Sequence, residues 1–141
     1  AIFCSKVFQV DLDRYSQSPF TIFSGQKDHN DELVKRAQAL IEDHYQERIA
    51  FEDLASELTI SRRNFDRRFI RATGNTPVEY LQRVKIEAAK RLFESTRKTI
   101  TEVMFDVGYT DPKAFRSIFR KTTGLSPLVY RLKYNKDPLL K

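Results

Sequence analysis

The stretch that decides the fold runs from Val107 to Tyr130 and reads VGYTDPKAFRSIFRKTTGLSPLVY. An earlier stretch, from Leu58 to Tyr80, follows the same pattern and reads LTISRRNFDRRFIRATGNTPVEY. Each contains two phenylalanines four residues apart, then a Thr-Gly pair, a proline and a tyrosine. The offset between the copies is 49 residues before the internal turn and 50 after it, because the second copy has one extra turn residue. The chain therefore contains an internal repeat.

Each copy predicts a short apolar helix, a tight turn and a longer helix that ends at glycine. The apolar pairs Leu54-Ala55 and Val103-Met104 lie in the short helices and begin the spacing that the two copies share. In the longer helices the phenylalanines stand at positions i and i+4, so both face the same side. This succession is the outline of a helix-turn-helix, and the chain is predicted to contain two of them.

Capping signals place the ends of the helices. N-caps are predicted at Ser61, Asp111 and Ser126, and prolines follow the last two. Thr76 with Glu79 and Thr99 with Glu102 have the spacing of capping boxes. Gly74 and Gly124 are expected to end the longer helices in a left-handed conformation, whereas Ala50 is a poor cap. The predicted helices span about 31–46, 51–58, 62–73, 77–94, 100–107, 112–123 and 127–134.

We therefore predict an all-α fold of seven helices, with two homeodomain-like helix-turn-helix subdomains joined by a long central helix. The subdomains lie at about 51–73 and 100–123, and the central helix at about 77–94. The central helix is expected to bury one apolar face, formed by Tyr80, Leu81, Val84, Ala88 and Leu92. Apolar and polar residues alternate within residues 1–27, which are predicted to form an extended or irregular segment that ends in a linker.

The composition of the 141-residue chain excludes several classes of protein. Hydrophobic residues make up 40%, enough for a core, but no apolar run approaches the roughly 20 residues of a membrane span. One cysteine and two histidines exclude a disulfide framework and a Cys- or His-rich metal centre. Neither a G-x-G-x-x-G nor a Walker loop is present. We expect a cytoplasmic protein with no membrane partner, no metal and no cofactor.

Charge is distributed in blocks along the chain. Asp28 to Ile60 carries a net charge of −6, Ser61 to Arg91 carries +6, and Pro112 to Lys136 has seven basic residues and no acidic one. A polyanion would therefore meet two separate positive surfaces, one in each repeat.

The two positive surfaces lie on the predicted outer sides of the longer helices. If Phe65, Phe69 and Ala72 face inward in the first, and Phe115, Phe119 and Thr122 in the second, the opposite sides are basic. The second helix of a helix-turn-helix enters the DNA major groove with its N-terminal residues nearest the bases. Base contacts are predicted for Arg63, Asp66, Arg67, Lys113, Arg116 and Ser117, and phosphate contacts for Arg62, Arg68, Arg71, Arg120 and Lys121.

A central helix of about 18 residues would be roughly 27 Å long at 1.5 Å per residue. The two recognition helices could then lie about one DNA turn (~34 Å) apart and enter successive major grooves.

Residues 31–134 resemble the DNA-binding domain of the AraC/XylS family of bacterial transcription regulators. The resemblance rests on Leu54-Ala55-x-x-Leu58-x-Ile60-Ser61, Arg67-x-Phe69 and Gly74-x-x-Pro77-x-x-Tyr80-Leu81, and on the long second motif from Val107 to Arg131. It implies two helix-turn-helix units joined by a long helix, and promoter binding that usually activates transcription. Double-stranded DNA is then the main partner, and RNA polymerase a second candidate.

The sequences from Asn75 to Tyr80 and from Arg97 to Ile100 resemble those of the subgroup that has a PfpI-like, amidotransferase-like sensor domain before the DNA-binding domain. Gln17 to Phe20 is similar to the end of that sensor. Residues 1–27 are therefore expected to be the tail of a sensor domain and its linker, and residues 28–141 the DNA-binding domain. The first residue is not methionine, which suggests a fragment; the full-length protein would form homodimers through the missing part.

This sequence departs from the family pattern at three positions. Met104 replaces a small alanine, Lys85 replaces a common arginine, and Ser117 replaces an arginine that is frequent on the second reading face. The resemblance therefore implies looser or shifted packing near Met104 and the loss of a bidentate contact at Lys85. The second helix is then expected either to rely on Lys113 and Arg116 or to contribute less base specificity.

Two other classes of function remain open at this point. An enzyme would need Cys4, His29 or His44, which lie outside the repeats, so no catalytic residue is predicted. A helical protein-interaction module without sequence-specific DNA binding is the main alternative. RNA binding is disfavoured because the aromatic residues stand at core spacing and leave no exposed stacking platform.

Overall fold

The computed structural model describes residues 29–137, and all the regular structure in this range is helical. The helices are α1 (Glu32–His44), α2 (Phe51–Glu57), α3 (Arg62–Thr73), α4 (Pro77–Ser95), α5 (Ile100–Asp106), α6 (Pro112–Thr123) and α7 (Pro127–Tyr134). The prediction of an all-α fold with seven helices is confirmed for this range. The predicted segment 1–27 lies outside the described residues. No helix of the described range is long and apolar enough to cross a membrane.

The described residues form two compact units. Residues 29–44 and 49–81 make up the first, and residues 45–48 and 82–137 make up the second. The first unit therefore contains α1, α2, α3 and the first turn of α4. The second contains the rest of α4 together with α5, α6 and α7.

The core of the first unit is built around the phenylalanine pair of α3. Phe65 and Phe69 are completely buried, and their rings meet edge to face with centroids 5.7 Å apart. Tyr80 packs edge-on against Phe69 at 5.5 Å, and its hydroxyl donates a 2.5 Å hydrogen bond to the Glu42 carboxylate of α1. A hydrogen bond to a charged acceptor satisfies the one polar atom of this buried ring.

The second unit repeats this arrangement with different residues. Phe115 and Phe119 of α6 are buried, Tyr130 packs edge-on against Phe119 at 5.5 Å, and the Tyr130 hydroxyl donates a hydrogen bond to Glu94. Glu42 lies on α1 and Glu94 on α4, so α4 does for the second unit what α1 does for the first. The internal repeat therefore includes a supporting helix before each helix-turn-helix, which the sequence pattern alone did not reveal.

The predicted caps are all present. Ser61, Asp111 and Ser126 accept hydrogen bonds from backbone N–H groups of the helices they precede. Thr76 with Glu79 and Thr99 with Glu102 form reciprocal capping boxes. Gly74 and Gly124 have φ of 81° and 84°, as a left-handed stop requires, and Ala50 makes no side-chain cap.

The internal turns of the two helix-turn-helix motifs share a left-handed residue. Gly108 has φ of 94°, and the corresponding Thr59 has φ of 57°. A β-branched residue in this region is strained, so the first motif has the less favourable turn. At Gly108 the backbone is also crowded: an added Cβ would lie 2.9 Å from the Gln46 carbonyl oxygen and 3.1 Å from Lys85 Nζ.

Two expectations about packing, for the inward-facing residues of the recognition helices and for the central helix, need correction. Thr122 is exposed and Ala72 only half-buried, because the last turn of each recognition helix is less covered than the turns that carry the phenylalanines. The central helix buries more than one face: besides Tyr80, Val84 and Ala88, the side chains of Ile86, Ala89 and Phe93 are buried, while Leu81 and Leu92 are half-buried. Met104 is 2% exposed and belongs to the core cluster of the second unit.

We expect Gly108→Ala to lower the free energy of unfolding by at least about 1 kcal/mol more than Gly124→Ala does. Both glycines are left-handed, but the Gly124 Cβ position has no neighbour within 4 Å, so only Gly108 adds a steric conflict. Urea denaturation of the two variants measures the difference. Equal losses of stability in the two variants would show that the 45–48 loop moves away from the added Cβ without a cost in free energy.

Phe115→Ala is expected to lower the free energy of unfolding by about 3–5 kcal/mol, because it opens a cavity in the core. Phe105→Ala is the matched control: the Phe105 side chain is 55% exposed, so its loss should change stability by about 0.5 kcal/mol or less. Thermal and urea unfolding measure both. An unchanged melting temperature for Phe115→Ala would contradict the core role.

Candidate DNA-binding interface

The face of α3 opposite its phenylalanines is solvent-exposed and basic. Arg63, Arg67 and Arg71 are exposed on it, and Ile70 is 45% exposed beside them. Ser61 is the N-cap of this helix, and its side chain accepts a hydrogen bond from the Asn64 N–H. Asp66, also predicted to read a base, is half-buried.

The corresponding face of α6 is exposed throughout. All five predicted contact residues of this helix lie on it, opposite the buried Phe115 and Phe119. These five residues are Lys113, Arg116, Ser117, Arg120 and Lys121. The structure thus brings the predicted site residues together as two groups, one on each recognition helix.

The first turns of these two helices carry basic residues, which the helix dipole disfavours, although the Asp111 carboxylate caps α6. The first turns of α1, α2, α4 and α5 carry acidic residues, as the positive end of a helix favours. The first turns of α3 and α6 carry none, and Arg62, Arg63 and Lys113 stand there instead. A local rule broken at the two predicted recognition helices points to a negatively charged ligand rather than to stability.

Arg62, a predicted phosphate contact, is held by two carboxylates. Its Nη1 lies 3.1 Å from Glu52 of α2, and its Nε donates a 2.9 Å hydrogen bond to Asp66 one turn later. The guanidinium also lies 5.5 Å from the centre of the Phe51 ring. The side chain is 32% exposed. Arg62 therefore connects α3 to α2.

Arg68 makes a bidentate contact with Asp31, which is 37 residues earlier in the chain. Its Nε and Nη2 donate hydrogen bonds of 3.0 and 2.7 Å to the two carboxylate oxygens. Asp31 also caps α1 by accepting from the backbone N–H groups of Leu33 and Val34. The hydrogen bond from Arg68, together with these N–H groups, lowers the pKa of Asp31, and Asp31 raises the pKa of Arg68. One carboxylate thus joins the start of α1 to the middle of α3.

Arg67 is positioned by a neutral neighbour. Its Nη2 donates a 2.7 Å hydrogen bond to Asn64 Oδ1, and both residues are exposed. Because the partner carries no charge, the Arg67 guanidinium keeps its full attraction for an anion.

Several residues around the site were missed by the sequence reasoning. The Asn64–Arg67 and Arg62–Asp66 pairs lie at i,i+3 and i,i+4, so their spacing could have revealed them. Glu52 and Asp31 are 10 and 37 residues from their partners. No pattern in the sequence joins those residues, and only the packing of α1 and α2 on α3 does.

Lys85, one of the departures from the family pattern, supports the turn of the second motif. Its Nζ donates a 3.3 Å hydrogen bond to the Gly108 carbonyl and lies 5.0 Å from the centre of the Tyr109 ring. Burial lowers the pKa of Lys85 and raises that of Tyr109 to about 12. Lys85 therefore orders the residues that lead into α6.

Of the residues on which an enzyme would depend, only His29 and His44 lie within the part of the chain that the structure describes. His29 lies 3.1 Å from Gln38 Oε1 through its Nε2, and its Nδ1 accepts from the Asp31 N–H. His44 is exposed at the end of α1, and Cys4 lies outside the described residues. Among residues 29–137, no three His, Cys, Asp or Glu side chains are grouped so that they could hold a metal ion.

A family model described as a helix-turn-helix domain matches residues 54–133, more than half of the chain. The chain belongs to the AraC-type helix-turn-helix family. The resemblance inferred from the sequence motifs is confirmed at this level. Members of this family are transcription regulators.

Curated relatives agree with this assignment. The chain is 31% identical over 99 residues to the HTH-type transcriptional activator RhaS of Klebsiella pneumoniae, and 30% identical over 112 residues to RhaS of Citrobacter koseri. These matches cover 70% and 79% of this chain, but only 36% and 40% of those proteins. The chain thus spans little more than a third of the length of the curated relatives it matches.

Solved structures have the same fold. The C-terminal domain of AraT, a response regulator from Geobacillus stearothermophilus, superposes with a TM-score of 0.72 at 28% identity, over 77% of this chain and 90% of that one. The DNA-binding domain of the global transcriptional factor AdpA, solved in complex with a target DNA, gives a TM-score of 0.68 at 36% identity. That match covers 72% of this chain and 91% of the AdpA chain.

The contact between Asp31 and Arg68 predicts a pH dependence of stability. The pKa of Asp31 is lowered in the folded state, so its carboxylate stabilises the fold above its ordinary pKa near 4 and loses that contribution as the pH falls through the lowered value. Asp31→Asn keeps a capping side chain but removes the charge. The stability advantage of the original chain over Asp31→Asn should be constant between about pH 5 and 7 and shrink below about pH 4.

Urea denaturation across this pH range measures the effect. Asp53→Asn is the control, because Asp53 is exposed and makes no ion pair within the described residues. An advantage over Asp31→Asn that stays the same at pH 3 and pH 6 would contradict the assignment.

Proposed function

We propose that this chain is the DNA-binding part of a sequence-specific transcription regulator, an activator, that inserts two recognition helices into successive major grooves of a promoter. One observation carries the proposal. Two helix-turn-helix units each present an exposed basic face, on the helix that follows the turn, opposite a buried phenylalanine pair. The similarity to the DNA-bound AdpA domain supports the same conclusion.

The proposed base readers are the N-terminal residues of each recognition helix. Arginine can donate two hydrogen bonds to guanine O6 and N7, which suits Arg63, Arg67 and Arg116. Lys113 and Ser117 are exposed in the same turns of α6. Asp66 would accept from cytosine N4 only after exchanging its contact with Arg62, so we place it last among the readers.

The reading of two successive grooves by one chain is part of the proposal. The central helix α4 has 19 residues, which correspond to about 28 Å at 1.5 Å per residue. We expect the two sets of contacts to lie about one DNA turn (~34 Å) apart on the DNA.

The remainder of the protein is also proposed rather than observed. Because the chain spans only 36% of the first RhaS relative, we propose a preceding domain that senses a signal. The sequences from Asn75 to Tyr80 and from Arg97 to Ile100 favour a PfpI-like sensor. We place the protein in the cytoplasm, where bacterial DNA lies, with RNA polymerase as a second partner and dimerisation through the preceding domain.

A helical protein-interaction module is the second candidate function. It is favoured by the exposed apolar side chains of α7, where Leu128, Val129 and Leu132 are 52%, 47% and 45% exposed. The two functions differ in their response to salt. DNA binding weakens steeply as salt rises, because lysine and arginine displace counterions from phosphate. Binding to a protein partner with no affinity for duplexes would favour the second candidate.

Selection of bound sequences from random duplexes tests the proposal directly. We expect an enriched site with two conserved blocks whose centres lie about one helical turn apart. Recovery of no preferred sequence from a folded chain would contradict sequence-specific binding. A single enriched block would contradict the reading of two grooves.

Arg67→Ala should weaken binding to the selected site by about 1–3 kcal/mol and relax the preference at one base pair. Arg67 is exposed in the middle of α3, and its guanidinium donates a hydrogen bond to the neutral side chain of Asn64. Arg48→Ala is the matched control: it removes the same charge from an exposed residue outside α3 and α6. Titration of duplexes that carry each base substitution measures the effect. An equal loss on every sequence would make Arg67 a phosphate contact.

A further inference from the structure

The cations of the two recognition helices differ in their surroundings. Two of the predicted phosphate contacts on α3 form ion pairs within the protein. Arg62 is held by Glu52 and Asp66, and Arg68 by both oxygens of Asp31. Within residues 29–137, no carboxylate lies within ion-pair distance of the four cations of α6. These are Lys113, Arg116, Arg120 and Lys121, and all four are exposed.

The difference arises from the acidic residues at the start of α1 and in the first turn of α2. The first unit contains the acidic block of the chain, and the N-terminal ends of α1 and α2 bring Asp31 and Glu52 to the sides of α3. In the second unit the nearby carboxylates have other partners. Asp111 caps α6, Glu102 caps α5, and Asp106 binds Lys98.

An arginine that already has carboxylate partners gains little from a phosphate. Its counter-charge is part of the protein, so no bound counterion is released from DNA when it approaches. It would also have to give up hydrogen bonds to a charged acceptor, which are the stronger kind. The cations of α6 have no such contacts to lose.

We propose that Arg62 and Arg68 are positioning residues rather than phosphate contacts. The salt-dependent affinity for DNA then comes from the exposed cations without a carboxylate partner among the described residues, which are the four of α6 and Arg63, Arg67 and Arg71 of α3. Arg62 braces α3 against α2, and Arg68 braces it against the start of α1. They hold the recognition helix so that Arg63 and Arg67 point outward. This inference rests on the proposed function, DNA binding.

The salt dependence of binding to a mixed-sequence duplex tests the inference. The measured quantity is the slope of log K against log salt concentration for the whole chain and four single variants, Arg62→Gln, Arg68→Gln, Arg120→Gln and Lys121→Gln. Loss of one phosphate contact reduces the slope by about 0.9. We expect Arg120→Gln and Lys121→Gln each to reduce it by at least half of that amount. Arg62→Gln and Arg68→Gln should reduce it by less than half, while lowering the melting temperature.

A charge exchange separates positioning from direct contact. Arg62→Glu alone should lower the melting temperature, and the double variant Glu52→Arg with Arg62→Glu should recover part of that loss, since Asp66 still faces position 62. The double variant should also have the salt slope of the original chain. If Arg62 touches phosphate, the double variant will keep the reduced slope of the single variant.

The outcomes distinguish the inference from the function on which it rests. A slope change for Arg62→Gln or Arg68→Gln as large as that for Arg120→Gln overturns the inference, and so do unchanged slopes for both α6 variants. Absence of any salt-dependent binding by the original chain overturns the proposed function instead.

Discussion

The packing of two phenylalanines one helical turn apart against an edge-on tyrosine is the interaction on which the rest of the structure depends. In each unit it decides which side of the recognition helix is buried, and therefore which side meets solvent. The tyrosine hydroxyl reaches a glutamate on the preceding supporting helix. A single aromatic cluster thus ties the supporting helix, the recognition helix and the helix that follows into one unit.

Once the buried side is set, the charges of the outer side take two different roles. At the start of α3, Arg62 pairs with Glu52 and Asp66 and so connects this helix to α2. Arg63 beside it and Lys113 at the start of α6 make no ion pair among the described residues. A basic residue in the first turn is unfavourable to the helix dipole, so these two side chains are better suited to a polyanion than to stabilising their own helices.

The sequence predicted the helices well because their signals are local. The caps at Ser61, Asp111 and Ser126 are recognised from residues within one turn, and the left-handed stops at Gly74 and Gly124 are equally local. Predictions were weaker where a residue's surroundings come from another helix. Thr122 was assigned to the inside from periodicity alone, but it is exposed, while Thr123 beside it is half-buried.

The sequence by itself determined seven helices, the duplicated motif and the basic outer faces, because helical periodicity, capping and charge blocks act over a few residues. Only the tertiary structure decided which of the cations are available to a ligand. Asp31 and Arg68 are 37 residues apart, and their contact depends on how α1 packs on α3. Likewise, the correspondence between α1 and α4 is shown by the two tyrosine–glutamate hydrogen bonds, since no shared sequence pattern indicates it. Long-range contacts of this kind follow from packing, which no short stretch of sequence encodes.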